Sequence, residues 1–482
     1  MPSKMYIGGT WTEGRATQVR TVTSPATGEA LGEVPISTPE DVDAAAHAAR
    51  QGLEAMEGMT VFERAELLHR AAGIMEERKE ELGRLLSLEQ GKPLRTEGVA
   101  EIEESAENFR VAAEDVKRLT TEVLPSQDPN KKMFTFRKPN GVYAVVTPWN
   151  FPFSIPSELI APGLAGGNAV IVKPSEHTPL VVERMVAILE EAGFPTGSVS
   201  LVYGERETGE ALVTHPAVDA IAFVGSHETG EAIVRAAGLK RTLMELSGNG
   251  PQIVLDDANL EAAASLAAFG AIYVSGQCCV ATERVLVAES VHDELVERLV
   301  QEAEQVRLGD PLDEKTTMGP LNNRPVAEKV ERHVEDARER GVHVLTGGSR
   351  ADGFPTDLYY PLTVIDGVPT DSLLFRDESF GPVLPVTTFR DDEDAIRLAN
   401  DSHLGLQASV FTSSLTRAFT FIDRLRAGNI VVNDTTDYWE SLEPFGGASG
   451  TRTGWGRVGG KWGLMDMTDL RTAVIDYRNT ND

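Results

Sequence analysis

Ala220-Ile221-Ala222-Phe223-Val224-Gly225-Ser226-His227-Glu228-Thr229-Gly230 is an apolar run, a small turn and the opening of a helix. An unbroken apolar run of this length reads as a strand buried on both faces, and such strands belong to parallel sheets covered by helices. The cycle repeats on either side. Upstream lie strands Val142–Val146 and Ala169–Val172, helix Thr178–Ala192, strand Val199–Tyr203 and helix Glu207–Thr214; downstream lie helix Glu228–Ala237 and strand Thr242–Leu246. The pattern defines an α/β fold, and each strand end that opens a helix is a candidate nucleotide crevice.

A second block of the same kind follows. A helix expected over 260–275 runs into Gly276-Gln277-Cys278-Cys279, then strand Val285–Ala288, helix Val291–Arg307 and an alternation reaching about Asn433. At the N-terminal end, residues 1–37 read as short strands and turns. Thr38 or Ser37 caps a helix opened by Pro39, and helical spacing continues, with breaks, to about Leu119. Within it, Glu76–Leu88 reads as a solvated amphipathic helix. Lys131–Pro139 and Thr468–Tyr477 are strand-like segments outside the two blocks, free to pair with another sheet within the subunit or across a subunit boundary.

The chain of 482 residues is longer than the roughly 250–300 at which one core stops growing, so two or more domains are expected. The formal charge, 45 − 74 = −29, argues against nucleic acid, whose binding depends on clustered Lys and Arg. No signal-peptide core and no apolar run of membrane-spanning length is present, so no membrane partner and a cytoplasmic location are expected. The two cysteines, being adjacent, supply neither a disulfide framework nor a tetrahedral thiolate site. The nine histidines lack ligand spacing, and no metal is expected.

Those cysteines have two readings. A free cysteine is commonly a small apolar filler; at the end of an element, beside a base or a helix N-terminus, it is a nucleophile with a lowered pKa. Other motifs carry similar ambiguity. No G-x-G-x-x-G follows a strand, and Gly163-Leu164-Ala165-Gly166-Gly167 has the wrong spacing. Ser226 is either a plain helix cap or a pyrophosphate contact. Lys173-Pro174-Ser175-Glu176, at a strand end, is either a surface ion pair or a ribose contact. Thr147-Pro148-Trp149-Asn150-Phe151-Pro152 is a rigid loop of the sort that aims an amide at developing charge.

These segments, with Met244-Glu245-Leu246-Ser247-Gly248, Gly276-Gln277-Cys278-Cys279, Glu378-Ser379-Phe380-Gly381-Pro382 and Pro444-Phe445-Gly446-Gly447, occur in one order. The ordered set resembles the NAD(P)-dependent aldehyde dehydrogenase superfamily over roughly residues 6–477. The resemblance implies two Rossmann-like parallel-sheet domains plus a small β oligomerisation flap. Residues 1–122 and 140–245 would bind NAD(P), 246–447 would be catalytic, and 123–139 with 465–482 would form the flap. Residues 448–464 would return toward the cofactor domain.

By the same resemblance Cys279 is the nucleophile, Glu245 the general base and Asn150 an oxyanion donor, although Ser247 replaces a family glycine. Lys173 and Glu176 match the adenosine-ribose contacts, Ser226 a pyrophosphate contact, and Glu378 and Phe380 the nicotinamide end; Trp149, Gly209, Gly225 and Gly230 complete the cofactor path. Glu176 points to NAD over NADP, because a carboxylate repels a 2′-phosphate, although NADP stays open. Phe151, Cys278, Trp439 and Phe445 are assigned to the substrate pocket, where Cys278 is either a bystander or a redox partner of Cys279.

The acidic, aromatic loop 433–443 suggests an aromatic or medium apolar aldehyde, with a semialdehyde such as succinate semialdehyde as the alternative. Arg284 is a candidate carboxylate anchor. Glu245 speaks against a coenzyme-A-acylating relative, and the presence of nucleophile, base and amide speaks against a non-catalytic binding protein. A homodimer or homotetramer is implied.

Overall fold

Five central strands decide where the chain can do chemistry. In a computed structural model describing residues 3–479, they run in the order Val199–Leu201, Ala169–Lys173, Val142–Val146, Ala220–Gly225 and Arg241–Leu246, all parallel. Sequence order therefore reverses between Val142–Val146 and Ala220–Gly225. In such a sheet the ligand crevice lies at that reversal, beyond the carboxyl ends of the strands. Antiparallel strands extend both edges: Met5–Ile7 and Thr10–Thr12 on one side, and Gly454–Trp455 against Arg241–Leu246 on the other.

The second sheet has seven strands, in the order His343–Val344, Thr363–Asp366, Val383–Phe389, Arg284–Ala288, Pro251–Val254, Gln407–Phe411 and Asn429–Val432. All of its pairings are parallel except the first. Strands Val142–Val146 and Ala169–Lys173 of the first sheet and Arg284–Ala288 and Gln407–Phe411 of the second are buried along their whole length, as expected for apolar strands with helices on both faces. Thr468–Asp476 and Lys131–Pro139 pair with each other, antiparallel over nine residues, and Val123–Leu124 adds a third strand. On this ribbon Leu470, Val474 and Ile475 are exposed. No described helix is long and apolar enough to cross a membrane.

Thr38 caps helix Pro39–Gly58 through a reciprocal capping box with Asp41. The single helix expected through Glu76–Leu88 is instead two, Val61–Glu77 and Lys79–Gln90, meeting at Arg78, whose backbone leaves the helical region. The helix expected over 260–275 stops at Ile272. Val274 (φ 51°), Ser275 (φ 56°) and Gly276 (φ 71°) all take left-handed conformations. A β-branched residue there is a genuine outlier and needs external support. The Val274 N–H donates to the Glu97 carboxylate at 3.0 Å, and the Ser275 hydroxyl donates to the Gly319 carbonyl at 2.9 Å. This buttressed turn swings the chain out of the helix immediately before Cys278 and Cys279.

Candidate active site

The carboxyl ends of the first-sheet strands open on two adjoining cavities. The larger, about 860 Å³, is lined by Trp149, Lys173, Glu176, Gly209, Gly225 and Ser226 among others. The smaller, about 200 Å³, is lined by Trp149, Asn150, Glu245, Cys279, Glu378 and Phe380. They share Pro148, Trp149, Val224, Gly225, Ser226 and Val326, so they form one cleft with a wide end and a narrow end. Gly230 lies outside the lining: a Cβ there would approach Leu246 Cδ2 at 2.5 Å, so its role is close helix–strand packing. Phe151, Cys278, Trp439 and Phe445 are also absent from this cleft.

At the wide end Lys173 is buried, its Nζ donating to the Pro174 and Gly204 carbonyls at 2.9 and 2.8 Å. Burial pulls its pKa down to about 8, against the attraction of Glu176 and Glu205. Glu176 faces both the cavity and His177, 3.8 Å away. A Cβ on Gly209 would meet nothing nearer than Lys173 Cε at 3.7 Å, so the missing side chain leaves open cleft there. Ser226 caps helix His227–Ala237, its hydroxyl accepting from the Thr229 N–H at 3.3 Å, and the helix N-terminus faces the cavity. A helix N-terminus that faces a cavity in this way suits a pyrophosphate.

At the narrow end Val224 and Glu245 are register neighbours on paired strands, and Gly454 flanks Glu245 on the other side. Glu245 is buried, and its Oε1 has no hydrogen-bond partner. Burial pushes this carboxyl up to about 7; its contact with the Cys279 thiol pulls the other way and the nearby Glu378 adds to the rise. The Cys279 thiol is held well above its ordinary value by the adjoining Cys278 sulfur, by burial and by Glu245. The lowered thiol expected from an element end is therefore not what the fold provides. Cys279 sits in a turn before strand Arg284–Ala288, facing the Glu245 carboxyl.

Glu378 accepts from the Gly248 N–H at 2.8 Å. Phe380 adopts φ 59°, rare for a non-glycine residue, and is fixed by its N–H donating to Glu283 Oε1 at 2.8 Å. Glu283 also accepts from the Ser379 N–H at 2.9 Å. The Phe380 ring stands edge-on to Trp149, centroids 5.5 Å apart, closing the cleft around Cys279. Lys329, from helix Arg324–Glu339, also lines this end and counters the charge of Glu378. Sequence reading missed it, because one lysine in an amphipathic helix carries no signal.

Arg284 is no anchor for a substrate. It is 2% exposed and its guanidinium donates to the carbonyls of Asn249, Leu398 and Ala399. Among the described residues no group of three His, Cys, Asp or Glu has the geometry to hold a metal.

The aldehyde dehydrogenase family model matches residues 11–473. The chain belongs to the aldehyde dehydrogenase family. A mitochondrial succinate-semialdehyde dehydrogenase of Arabidopsis thaliana is 35% identical over 476 residues, 98% of this chain and 89% of that one. The NADP(+) succinate-semialdehyde dehydrogenase of Escherichia coli is 34% identical, covering 97% of each chain. Among solved structures, betaine aldehyde dehydrogenase of Staphylococcus aureus in complex with NAD+ superimposes with a TM-score of 0.96 at 31% identity. That match covers 100% of this chain and 96% of that one. The aldehyde dehydrogenase chain thus has the family's fold throughout.

Proposed function

We propose that this aldehyde dehydrogenase oxidises an aldehyde to the free carboxylic acid through a covalent intermediate on Cys279, with Glu245 as the base and Asn150 as an oxyanion donor. The observation that carries this is the convergence of all three on one narrow cavity, with a buried Glu245 oxygen left unpartnered. Glu245 takes the Cys279 proton, and the thiolate attacks the carbonyl carbon. The developing oxyanion is stabilised by the Asn150 amide and the Cys279 backbone N–H. Bound with its reactive end between Trp149, Glu378 and Phe380, a nicotinamide dinucleotide would accept the hydride. After hydride transfer Glu245 gives the thiol's proton up to solvent. The regenerated carboxylate then takes a proton from water, hydroxide adds to the thioester carbon, and the C–S bond breaks to release the acid and the Cys279 thiolate, which Glu245 reprotonates.

Lys173 and Glu176 would hold the adenosine ribose, and Ser226 with the following helix N-terminus the pyrophosphate. The Glu176 carboxylate favours NAD, since a 2′-phosphate would enter beside it. The exposed apolar side of the ribbon supports a homo-oligomer joined there. A semialdehyde substrate is the second reading, favoured by relatives that carry that name. The test is NADH formation with a simple aldehyde. Turnover abolished in Cys279→Ala and indifferent to coenzyme A is expected. A rate that requires coenzyme A, or that survives loss of Cys279, would overturn the reading.

A further inference from the structure

Cys279 has a second side, away from the dinucleotide cleft. Helix Ser154–Ala165 starts directly after the Asn150 loop, and its first turn is ringed by carboxylates. The Phe153 and Ser154 N–H groups donate to Glu101 Oε1 at 2.8 and 3.1 Å. The Ser154 hydroxyl lies within hydrogen-bonding distance of Glu104 and, at 3.2 Å, of Glu158. Glu158 is close enough to Glu245 for the two charges to repel. Across the space, Asp437 faces the Cys278 thiol, and its Oδ2 would lie 2.7 Å from a Cβ on Gly270, at the end of the helix leading to the cysteine turn. Both carboxyl oxygens of Asp437 are buried and find no hydrogen-bond partner.

Aromatic rings connect these acids to the surface. Phe269 is 44% exposed; its ring stacks on Tyr273 at 5.5 Å, and Tyr273 meets Phe151 at 5.8 Å. Glu104, Glu158, Asp437, Tyr273 and Cys279 are each half-buried, so this cluster is neither sealed in the core nor open at the surface.

The charge there is one-sided. Among the described residues acting most strongly on these acids, the one cation is Lys92, and it is already used. Its Nζ is 2.6 Å from Glu101, with both side chains 1% exposed, and it sits over the Phe151 ring at 4.1 Å. Burial holds Glu104 at about 7, and Glu158 and Asp437 well above their ordinary values. An arriving cation would favour their ionised forms, whereas an arriving carboxylate would find no free partner.

We infer that the pocket formed by Glu104, Glu158, Asp437, Tyr273 and Phe151 takes an aldehyde whose far end is a cationic ammonium group. Carboxylates supply the countercharge and the rings supply cation–π contact. The inference rests on the aldehyde-oxidising reading and narrows its substrate class.

The test compares isosteres. Trimethylammonioacetaldehyde is set against 3,3-dimethylbutanal, and 4-(trimethylammonio)butanal against 5,5-dimethylhexanal, with succinate semialdehyde as the anionic arm. NADH formation should show kcat/KM at least about tenfold higher for the cation in one of the pairs, and the ratio should fall about tenfold or more in Glu158→Gln or Asp437→Asn. Equal rates within both pairs, or a preference for succinate semialdehyde, would overturn the inference. Binding is read separately, as protection of Cys279 from iodoacetamide by trimethyl(propyl)ammonium. Protection that weakens in Glu158→Gln, with no aldehyde oxidised, would leave the cation site standing and refute the catalytic reading. No protection would count against the cation site itself.

Discussion

Hydrolysis of the Cys279 thioester should follow the ionisation of Glu245, and its buried position fixes where. With the carboxyl pushed up to about 7, moving from pH 8 to pH 6 protonates about nine in ten of these groups. Deacylation should slow about tenfold over that interval and about a hundredfold by pH 5. A carboxyl at the ordinary value of 4.5 would lose only a few per cent of its ionised form by pH 6. Thiol activation depends on the same group, so a steady-state rate would mix the two steps. The acyl-enzyme should therefore be formed briefly at pH 8, jumped to the test pH, quenched, and the thioester on Cys279 counted by intact mass. The expected result is a decay constant with its midpoint near pH 7 in the parent enzyme. In Glu245→Gln decay should be about 10²–10⁴-fold slower, with no inflection near 7. A decay flat between pH 6 and 8, or an inflection that persists in Glu245→Gln, would refute the assignment.

Asn150→Ala should lower kcat about 10²–10³-fold while the thermal midpoint of the folded protein stays close to the parent value, the loss expected for one oxyanion donor. Glu176→Ala should lower the ratio of kcat/KM with NAD+ to that with NADP+ by about tenfold or more, read from initial rates at saturating aldehyde. Lys92→Met should destabilise the fold by about 3–5 kcal/mol in denaturant titration, because it strands the buried Glu101 carboxylate; Lys92→Met with Glu101→Gln should recover most of that loss.

The parallel sheets were legible because strands such as Val142–Val146 and Ala220–Gly225 are apolar throughout and bounded by turn residues. The cysteine turn, the Asn150 loop and Glu378 were legible because their neighbours form an ordered set of short motifs. The left-handed run Val274–Gly276 was not, since nothing local asks a valine to take φ 51°; the cause is Glu97, 177 residues away. Arg284 read as a candidate anchor because a cation near the nucleophile is conspicuous in sequence, whereas its carbonyl partners come from other loops. Glu104, Glu158 and Lys329 carry no signal of their own in the sequence, each being a single charge within a helix. Their inward placement depends on what packs against those helices, and one-dimensional periodicity does not record it.

The edge strand Gly454–Trp455, which flanks Glu245 in the first sheet, has a consequence for biogenesis. Cys279 leaves the ribosome 455 − 279 = 176 residues before the segment that completes the sheet beside its base. The Leu246 N–H finds its acceptor, the Thr453 carbonyl at 2.9 Å, only when that late segment docks. A nascent or truncated chain would thus carry Cys279 without a settled Glu245 beside it. On the proposed roles of Cys279 and Glu245, products that stop before Gly454 should be poor thiol catalysts however well their earlier strands have formed.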